Sequence, residues 1–166
     1  DLLADGLIER GARAACISIG GDVRARGVAP GDGWAIPVSD PLEPRVSWGT
    51  VPLRDAAIVT STTRIRSWTR AGIQLHHLLD PRTGYPADHT QAVTVLIPGG
   101  AKAGTRSDAA SKPIFIAGPD AWRAMARKME IGMVLRVDRD NRVFVSEALR
   151  PRLEFVGDHP EIIVVP

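Results

Sequence analysis

The strongest structural signal in this chain is the run of residues 92–97, Ala-Val-Thr-Val-Leu-Ile, which is rich in β-branched side chains. Pro98-Gly99-Gly100 closes the run directly. A short β-branched segment that ends in turn residues is typical of a strand, because branched side chains pack well on a pleated surface. We therefore expect this strand at the centre of a sheet, with the rest of the fold arranged around it.

Further short apolar runs, each bounded by turn residues, predict the other strands. They lie at residues 14–19, 34–38, 57–60 and 73–79. Gly20-Gly21-Asp22 turns the first of them into an extended segment at residues 23–27. Residues 133–137 and 142–145 flank Asp138-Arg139-Asp140-Asn141 and predict a hairpin. The apolar end of the chain is expected to add an edge strand.

Two helices are predicted from side chains that recur at three- and four-residue steps. The first ends at Gly11, a residue suited to a left-handed C-cap, and has its apolar face on Leu2, Leu3, Leu7 and Ile8. The second is expected to begin at an Asp120 cap and to carry Trp122, Met125, Ala126 and Met129. Because strands outnumber helices without regular alternation, the sequence favours a single α+β domain over residues 1–166, with a mixed, largely antiparallel sheet and a few packed helices.

Composition narrows the function without identifying it. At 166 residues, 44% hydrophobic and 24% charged, the chain has the composition of an ordinary globular domain. Its net charge is +2 and its basic residues are spread out, which argues against a nucleic-acid or anionic-membrane surface. The single cysteine, Cys16, lies in an apolar run and is expected to be a small buried side chain. The chain does not begin with methionine, so we expect that something precedes it, including any export signal.

A histidine and an aspartate stand three residues apart, directly before a turn that proline makes rigid. Here a general base, His77 or Asp80, would lie next to a loop that presents Arg82 and Thr83 to a phosphate. In the alternative, Asp80 caps its own turn, Arg82 pairs with a surface carboxylate and His77 is an ordinary strand histidine. His76 should point the other way from His77, and we expect it to be exposed.

Three other segments carry polar groups with a structural alternative each. Gly20-Gly21-Asp22 lets the backbone approach a ligand, with Asp22 as an acceptor for a sugar or base, or is a plain strand turn. Ser61 and its neighbours are phosphate-facing hydroxyls or another turn. Asp108 and Ser111 share one face if a helical turn begins at Ser107, and such oxygen ligands suit magnesium beside a pyrophosphate. The alternative is that Ser107 is an N-cap.

Taken in order, these segments resemble the FAD:protein FMN transferases, the ApbE family once called thiamine biosynthesis lipoproteins. The family signature His-x-x-Asp-Pro-x-Thr-Gly matches residues 77–84 at every fixed position. Its Gly-Gly-Asp segment with a following arginine is similar to residues 17–24, and its Ala-Thr-Ser-Gly segment to residues 59–62. Its Ala-Asp-Ala segment is similar to Ser107-Asp108-Ala109. The signature is specific, and the other segments support it.

The resemblance implies an ApbE-like fold and a reaction. The protein would bind FAD with Mg²⁺ across the pyrophosphate and transfer FMN to a threonine or serine hydroxyl of an acceptor flavoprotein, releasing AMP. His77 and Asp80 would be catalytic, and Asp108 and Ser111 would hold the metal. The nucleotide would be bound by Gly21, Asp22, Ser61, Leu79, Arg82 and Thr83.

The same resemblance implies a location and a missing part. Many relatives are periplasmic or membrane-anchored lipoproteins, and this chain would be the C-terminal portion of the domain, with the N-terminal half as its partner.

Two positions depart from the family pattern. Lys112 stands where the family has a metal-binding threonine, and Pro113 after it is expected to disturb a helix. Thr62 stands where glycine is usual. Lys112 either replaces the charge of the metal at the phosphate or marks a protein that binds FAD without transfer. The alternatives to a transferase are therefore an FAD-binding or flavoprotein-assembly module and an FAD pyrophosphatase that uses water.

Overall fold

A computed structural model describes residues 1–29 and 31–166. Its helices are α1 (Leu2–Glu9), α2 (Ala103–Ile116) and α3 (Gly118–Lys128), with a short 3-10 helix at Arg150–Arg152. Its strands are, in chain order, β1 (Ala14–Ile19), β2 (Asp22–Gly27), β3 (Trp34–Ser39), β4 (Ser47–Leu53), β5 (Ala56–Thr62), β6 (Ser67–Arg70), β7 (Ile73–His76), β8 (Thr90–Pro98), β9 (Met133–Asp138), β10 (Val143–Ser146), β11 (Glu154–Phe155) and β12 (Ile162–Val165).

A seven-stranded sheet in the order β1-β2-β5-β8-β9-β10-β12 forms the centre of the fold. Its neighbouring strands are antiparallel except β10 and β12, which are parallel. A second sheet has the order β11-β4-β3, and β6 pairs with β7 as a separate hairpin. The predicted α+β fold is confirmed, as are the central position of β8 and the edge position of β12.

Both faces of the large sheet are covered, which explains why β8 is apolar at consecutive positions. On one face, Leu96 packs in a core with Trp48 and Leu53 of the small sheet. On the other face, Val93 and Val95 pack with Phe115 of α2 and with other side chains of α2 and α3. Because side chains alternate along a strand, β8 contributes to two separate cores.

The first helix is confirmed, and the predicted start of the last helix is wrong. Gly11 follows α1 with φ +94°, and its N–H donates to the carbonyl of Ile8 at 2.9 Å. In contrast, α3 begins at Gly118, so Asp120 lies inside its first turn instead of capping it. Pro119 accounts for the earlier start, since the first turn of a helix has N–H groups without intrahelical partners and tolerates proline.

The helix α2 is longer than predicted and runs through Pro113. It begins four residues before Ser107, so the alternative of Ser107 as an N-cap is wrong. The predicted disturbance at Pro113 is also wrong, because the helix continues to Ile116. Ile114 and Phe115 are fully buried against the sheet, and this burial offsets the hydrogen bond that proline removes, a loss of about 3 kcal/mol.

Cys16, which we expected to be buried, is only half-buried beside the core. Desolvation raises the pKa of its thiol. Among the described helices, none combines the length and the apolar character needed to cross a lipid bilayer.

Candidate functional site

A cavity of about 230 Å³ lies between the two sheets. One wall is formed by alternate side chains of β5, β8 and β9, among them Ile58, Thr60 and Leu135. The small sheet contributes Ile36 and its neighbours on β3. The cavity is therefore mainly apolar, with hydroxyl groups on one side. Thr62 also lines it.

The glycine turn between β1 and β2 lies at the edge of this cavity. Gly20 and Gly21 line it, and both have left-handed backbone conformations, with φ of +63° and +98°. A Cβ built on either glycine would meet no atom within 4 Å. Glycine is therefore needed here for its backbone conformation, and the space outside the turn is open. Asp22 follows the turn directly and is exposed.

Two serines join β5 to α2. The hydroxyl oxygens of Ser61 and Ser111 are 2.7 Å apart, and the Ser111 hydroxyl donates to the backbone carbonyl of Asp108 at 2.9 Å. Ser61 is therefore the donor to Ser111. Both side chains are buried, Ser111 completely. The hydroxyl of Ser111 is thus engaged in attaching α2 to the sheet.

Two charged side chains pair on the open side of α2, and a third, Asp22, lies within range of their charges. Lys112 pairs with the Asp108 carboxylate one helical turn earlier, and its ammonium also donates to the Asp108 carbonyl at 3.2 Å. Asp22 belongs to the same group, because the charges of Asp108 and Lys112 act on it. Although Asp22 is exposed, partial desolvation by its neighbours raises its pKa, the negative charge of Asp108 raises it further, and the positive charge of Lys112 opposes both.

These residues do not fit a magnesium ion held by Asp108 and Ser111. The Ser111 hydroxyl is buried and already bonded to Ser61 and to the Asp108 carbonyl. The Asp108 carboxylate is paired with an ammonium group, which repels a second cation. Within residues 1–29 and 31–166, no group of three or more histidine, cysteine or acidic side chains is arranged to hold a metal.

The signature segment places its two histidines in opposite surroundings. His76, which we expected to be exposed, is buried, and His77 is exposed. The N–H of Leu78 donates to Nδ1 of His76 at 3.2 Å, so the proton is on Nε2, which donates to the Ala87 carbonyl at 3.0 Å. Burial lowers the pKa of His76, which keeps the ring neutral. The prediction failed because alternation separates the two rings without showing which one faces the core.

Asp80 builds the turn that follows. Its carboxylate accepts the backbone N–H of Arg82 at 2.9 Å and the Arg82 guanidinium at 2.7 Å, and its carbonyl accepts the N–H of Gly84 at 2.8 Å. The hydrogen bonds from the Arg82 side chain and backbone lower the pKa of Asp80, so it is a poor proton acceptor near neutral pH. The arginine therefore pairs with Asp80 itself. In this turn, Thr83 accepts the N–H of Tyr85 at 3.2 Å.

The helix α2 carries Asp108 and Lys112 and also contacts the signature segment. The ring of His76 stands edge-on to Phe115, with 6.1 Å between centroids. Phe115 follows Ser111 by about one helical turn. Leu79, a predicted nucleotide contact, is 51% exposed next to His77. The structure thus brings the predicted residues together in two groups. The first, connected through α2, is Asp22, Ser61, Asp108 and Ser111. The second lies in the signature segment and is His77, Leu79, Asp80, Arg82 and Thr83.

A buried ion pair that no sequence pattern predicted positions α2. Arg24 of β2 is buried, and its Nε lies 3.3 Å from the carboxylate of Asp1. Asp1 also accepts the N–H groups of Gly104 and Thr105 at 3.0 and 2.8 Å, and so caps α2 from outside the helix. An arginine within an apolar strand could have indicated this pair, because a buried guanidinium requires a carboxylate or carbonyl partner.

Comparison with known proteins gives consistent results. The model of the ApbE family matches residues 1–135. The chain is 36% identical over 167 residues to the FAD:protein FMN transferase of Rhodobacter capsulatus, covering 99% of this chain and 31% of that protein. It is 30% identical over 153 residues to the FAD:protein FMN transferase of Treponema pallidum, covering 84% of this chain and 41% of the relative.

Solved structures agree with the sequence matches. The ApbE protein of Thermotoga maritima matches with a TM-score of 0.72 at 30% identity, covering 85% of this chain and 45% of that one. The apo flavinyl transferase ApbE of Pseudomonas stutzeri matches with a TM-score of 0.69 at 27% identity, covering 95% of this chain and 50% of that one. The chain thus spans at most half the length of these relatives.

Proposed function

Because this chain belongs to the ApbE family, we propose that it takes part in transferring FMN from FAD to a threonine or serine hydroxyl of an acceptor flavoprotein, with release of AMP. Relatives that carry the name FAD:protein FMN transferase support flavin transfer. The observation that supports this proposal most directly is geometric. Gly20 and Gly21 line the apolar cavity, and Asp22, the next residue, is within range of the charges of Asp108 and Lys112.

The shape of the site suits part of a flavin nucleotide. The cavity of about 230 Å³ is smaller than most sites for a whole ligand of this size and suits one flat ring system. Thr60 and Thr94, whose hydroxyls are 2.8 Å apart, supply polar groups at its wall. The diphosphate then lies outside the cavity at the open glycine turn, where Gly20 and Gly21 leave room.

The reaction moves one phosphoryl group and one proton. The acceptor hydroxyl oxygen attacks the phosphorus of the FMN half, and the bond from that phosphorus to the bridging oxygen breaks. AMP leaves with the bridging oxygen. The hydroxyl proton passes to the exposed ring of His77, which the rigid turn of Asp80 and Arg82 supports from the following residues.

Magnesium is not part of this sequence of steps. A divalent cation at a diphosphate neutralises charge on the phosphate oxygens. Since Asp108 and Ser111 do not fit such an ion here, the proposal assigns no step to it.

A second candidate function is FAD binding without transfer. The pairing of Lys112 with Asp108 supports it, because this pair stands where the family has a metal site. The two candidates differ in whether AMP is formed.

The deciding experiment uses the full-length protein with FAD and a threonine-containing acceptor, with and without added magnesium. We expect the acceptor to gain the mass of FMN and an equal amount of AMP to appear. His77→Ala should lower the rate at least about 100-fold, since loss of a general base has effects of that size. His159→Ala, at another exposed histidine, is the matched control.

Two other outcomes would reject the transferase, and a third would reject only the role of His77. Bound FAD with no mass gain identifies the binding module. Free FMN formed without acceptor identifies a pyrophosphatase. Transfer at an unchanged rate in His77→Ala removes the assigned role of that histidine.

A further inference from the structure

We propose that Lys112 is the resident cation of this site: its ammonium takes the place of a divalent metal and contacts the FAD diphosphate directly, so that FAD binds without magnesium. This inference rests on the proposed function, because it takes FAD as the ligand. It concerns the same site and specifies what neutralises the diphosphate there.

The position of Lys112 supports this role. Lys112 and Asp108 are four residues apart on α2 and share its open face, where their side chains are 42% and 47% exposed. An ammonium group has three N–H donors. The hydrogen bonds that the structure describes for residues 1–29 and 31–166 use two of them, to the carboxylate and the carbonyl of Asp108. A third donor is left for a phosphate oxygen.

The surroundings disfavour a metal at the same point. A protonated lysine has no lone pair and cannot coordinate a cation. Its positive charge, held at hydrogen-bonding distance from Asp108, repels a second cation approaching that carboxylate. The neighbouring hydroxyl of Ser111 is buried and bonded within the protein. Lysine and magnesium are therefore alternatives here.

The charge balance sets the expected affinity. Asp22, Asp108 and Lys112 together carry a net charge of −1, whereas a divalent ion in place of the lysine would bring it to zero. FAD should therefore bind more weakly than to a metal-containing site.

The test measures binding instead of turnover. FAD is titrated into the full-length protein in EDTA and again in magnesium, with flavin fluorescence as the signal, and Mn²⁺ binding in the presence of FAD is followed by electron paramagnetic resonance. We expect equal FAD affinity in EDTA and magnesium, and free Mn²⁺. Lys112→Ala should weaken FAD binding about tenfold in both buffers, as expected for loss of a charge-assisted hydrogen bond.

A second variant should make FAD binding depend on magnesium. Lys112→Thr removes the ammonium and supplies a hydroxyl, so FAD binding should become magnesium-dependent and Mn²⁺ should become bound. Lys128→Ala, at the exposed end of α3, is the matched control and should change neither signal. Thermal unfolding of each variant shows whether it is folded, and Lys112→Ala keeps the inference testable if Lys112→Thr is unstable.

The outcomes separate this inference from the proposed function. FAD binding that requires magnesium in the wild type, or one Mn²⁺ bound per wild-type chain, overturns the role of Lys112 and leaves flavin transfer standing. Absence of FAD binding in both buffers overturns the proposed function, and the inference falls with it.

Discussion

The adjacent histidines of the signature segment have different tasks because of their different surroundings. His76 is buried and neutral, with both ring nitrogens in hydrogen bonds to the backbone. It packs edge-on against Phe115, and its two hydrogen bonds fix the backbone at Leu78 and at Ala87. His77 lies on the solvent side and is available to a substrate. At the residue scale, His76 is therefore a positioning residue and His77 is the candidate base.

The buried histidine predicts a pH dependence of stability. The pKa of His76 is lowered in the folded state, so the unfolded chain binds more protons once the pH falls below the ordinary histidine value of about 6.5. The stability that His76 contributes is present above that pH and is lost as the pH falls toward the lowered value. We expect the urea midpoint of the wild type to fall between pH 7.5 and pH 5.5.

Substitution isolates this contribution. His76→Gln retains a donor toward the Ala87 carbonyl and does not titrate, so its midpoint should fall less over the same range. His159→Gln, at an exposed histidine, should behave like the wild type. Equal falls in the wild type and in His76→Gln would contradict the assignment.

At the scale of elements, α2 connects the parts of the site. It carries Asp108, Ser111 and Lys112 on one side and Phe115 toward the signature segment. Its start is fixed by Asp1, which caps its N–H groups and pairs with the buried Arg24. Because Asp108 and Lys112 lie about one and two helical turns from this capped end, the position of α2 determines where Lys112 reaches.

The Asp1 contact predicts a large loss of stability. Asp1→Ala removes one of the two carboxylates near the buried Arg24, which keeps Asp55 at 3.5 Å, and it also uncaps α2, so we expect a decrease of about 2–3 kcal/mol in the free energy of unfolding. Asp5→Ala is the matched control, since Asp5 pairs with the partly exposed Arg26 and such pairs contribute about 1 kcal/mol or less. Chemical denaturation of both variants measures the difference. Similar losses would show that the buried pair has no special role.

At the scale of the whole molecule, the site exists because two sheets and a helical layer meet near one turn. The cavity lies between the sheets, the charged side chains lie on the helical side, and the Gly20-Gly21-Asp22 turn connects them. Neither layer alone contains both an apolar space and the charged group. A ligand with a ring system and a diphosphate therefore needs the complete arrangement.

Filling the cavity should separate ligand binding from folding. Ile36→Trp places a larger side chain at its wall, and we expect FAD affinity to fall at least about tenfold, or about 1.4 kcal/mol. Ile36 is only partly buried, so the melting temperature should change little. Val164→Trp, at an exposed position of the edge strand β12, is the matched control. Unchanged FAD affinity in Ile36→Trp would place the ring system elsewhere.

Sequence alone determined the features that depend on local periodicity and turn chemistry. The apolar runs of β1, β5 and β8 and the hairpin of β9 and β10 lie where their patterns predicted. The signature at residues 77–84 identified the family from fixed residues. The strand β4 was missed because Gly49 and Pro52 interrupt its pattern. Gly49 is required there because β11 crosses so close that a Cβ would collide with the carbonyl of Glu154.

Only the tertiary structure decided which side of each element is covered and which polar groups meet. It buried His76 instead of His77, carried α2 through Pro113, and used Ser111 to attach α2 to β5. It also paired Lys112 with Asp108 near Asp22. These outcomes depend on residues far apart in sequence, because burial and electrostatic interaction are set by the atoms that surround a group, whereas a local pattern specifies only the periodicity of its own segment.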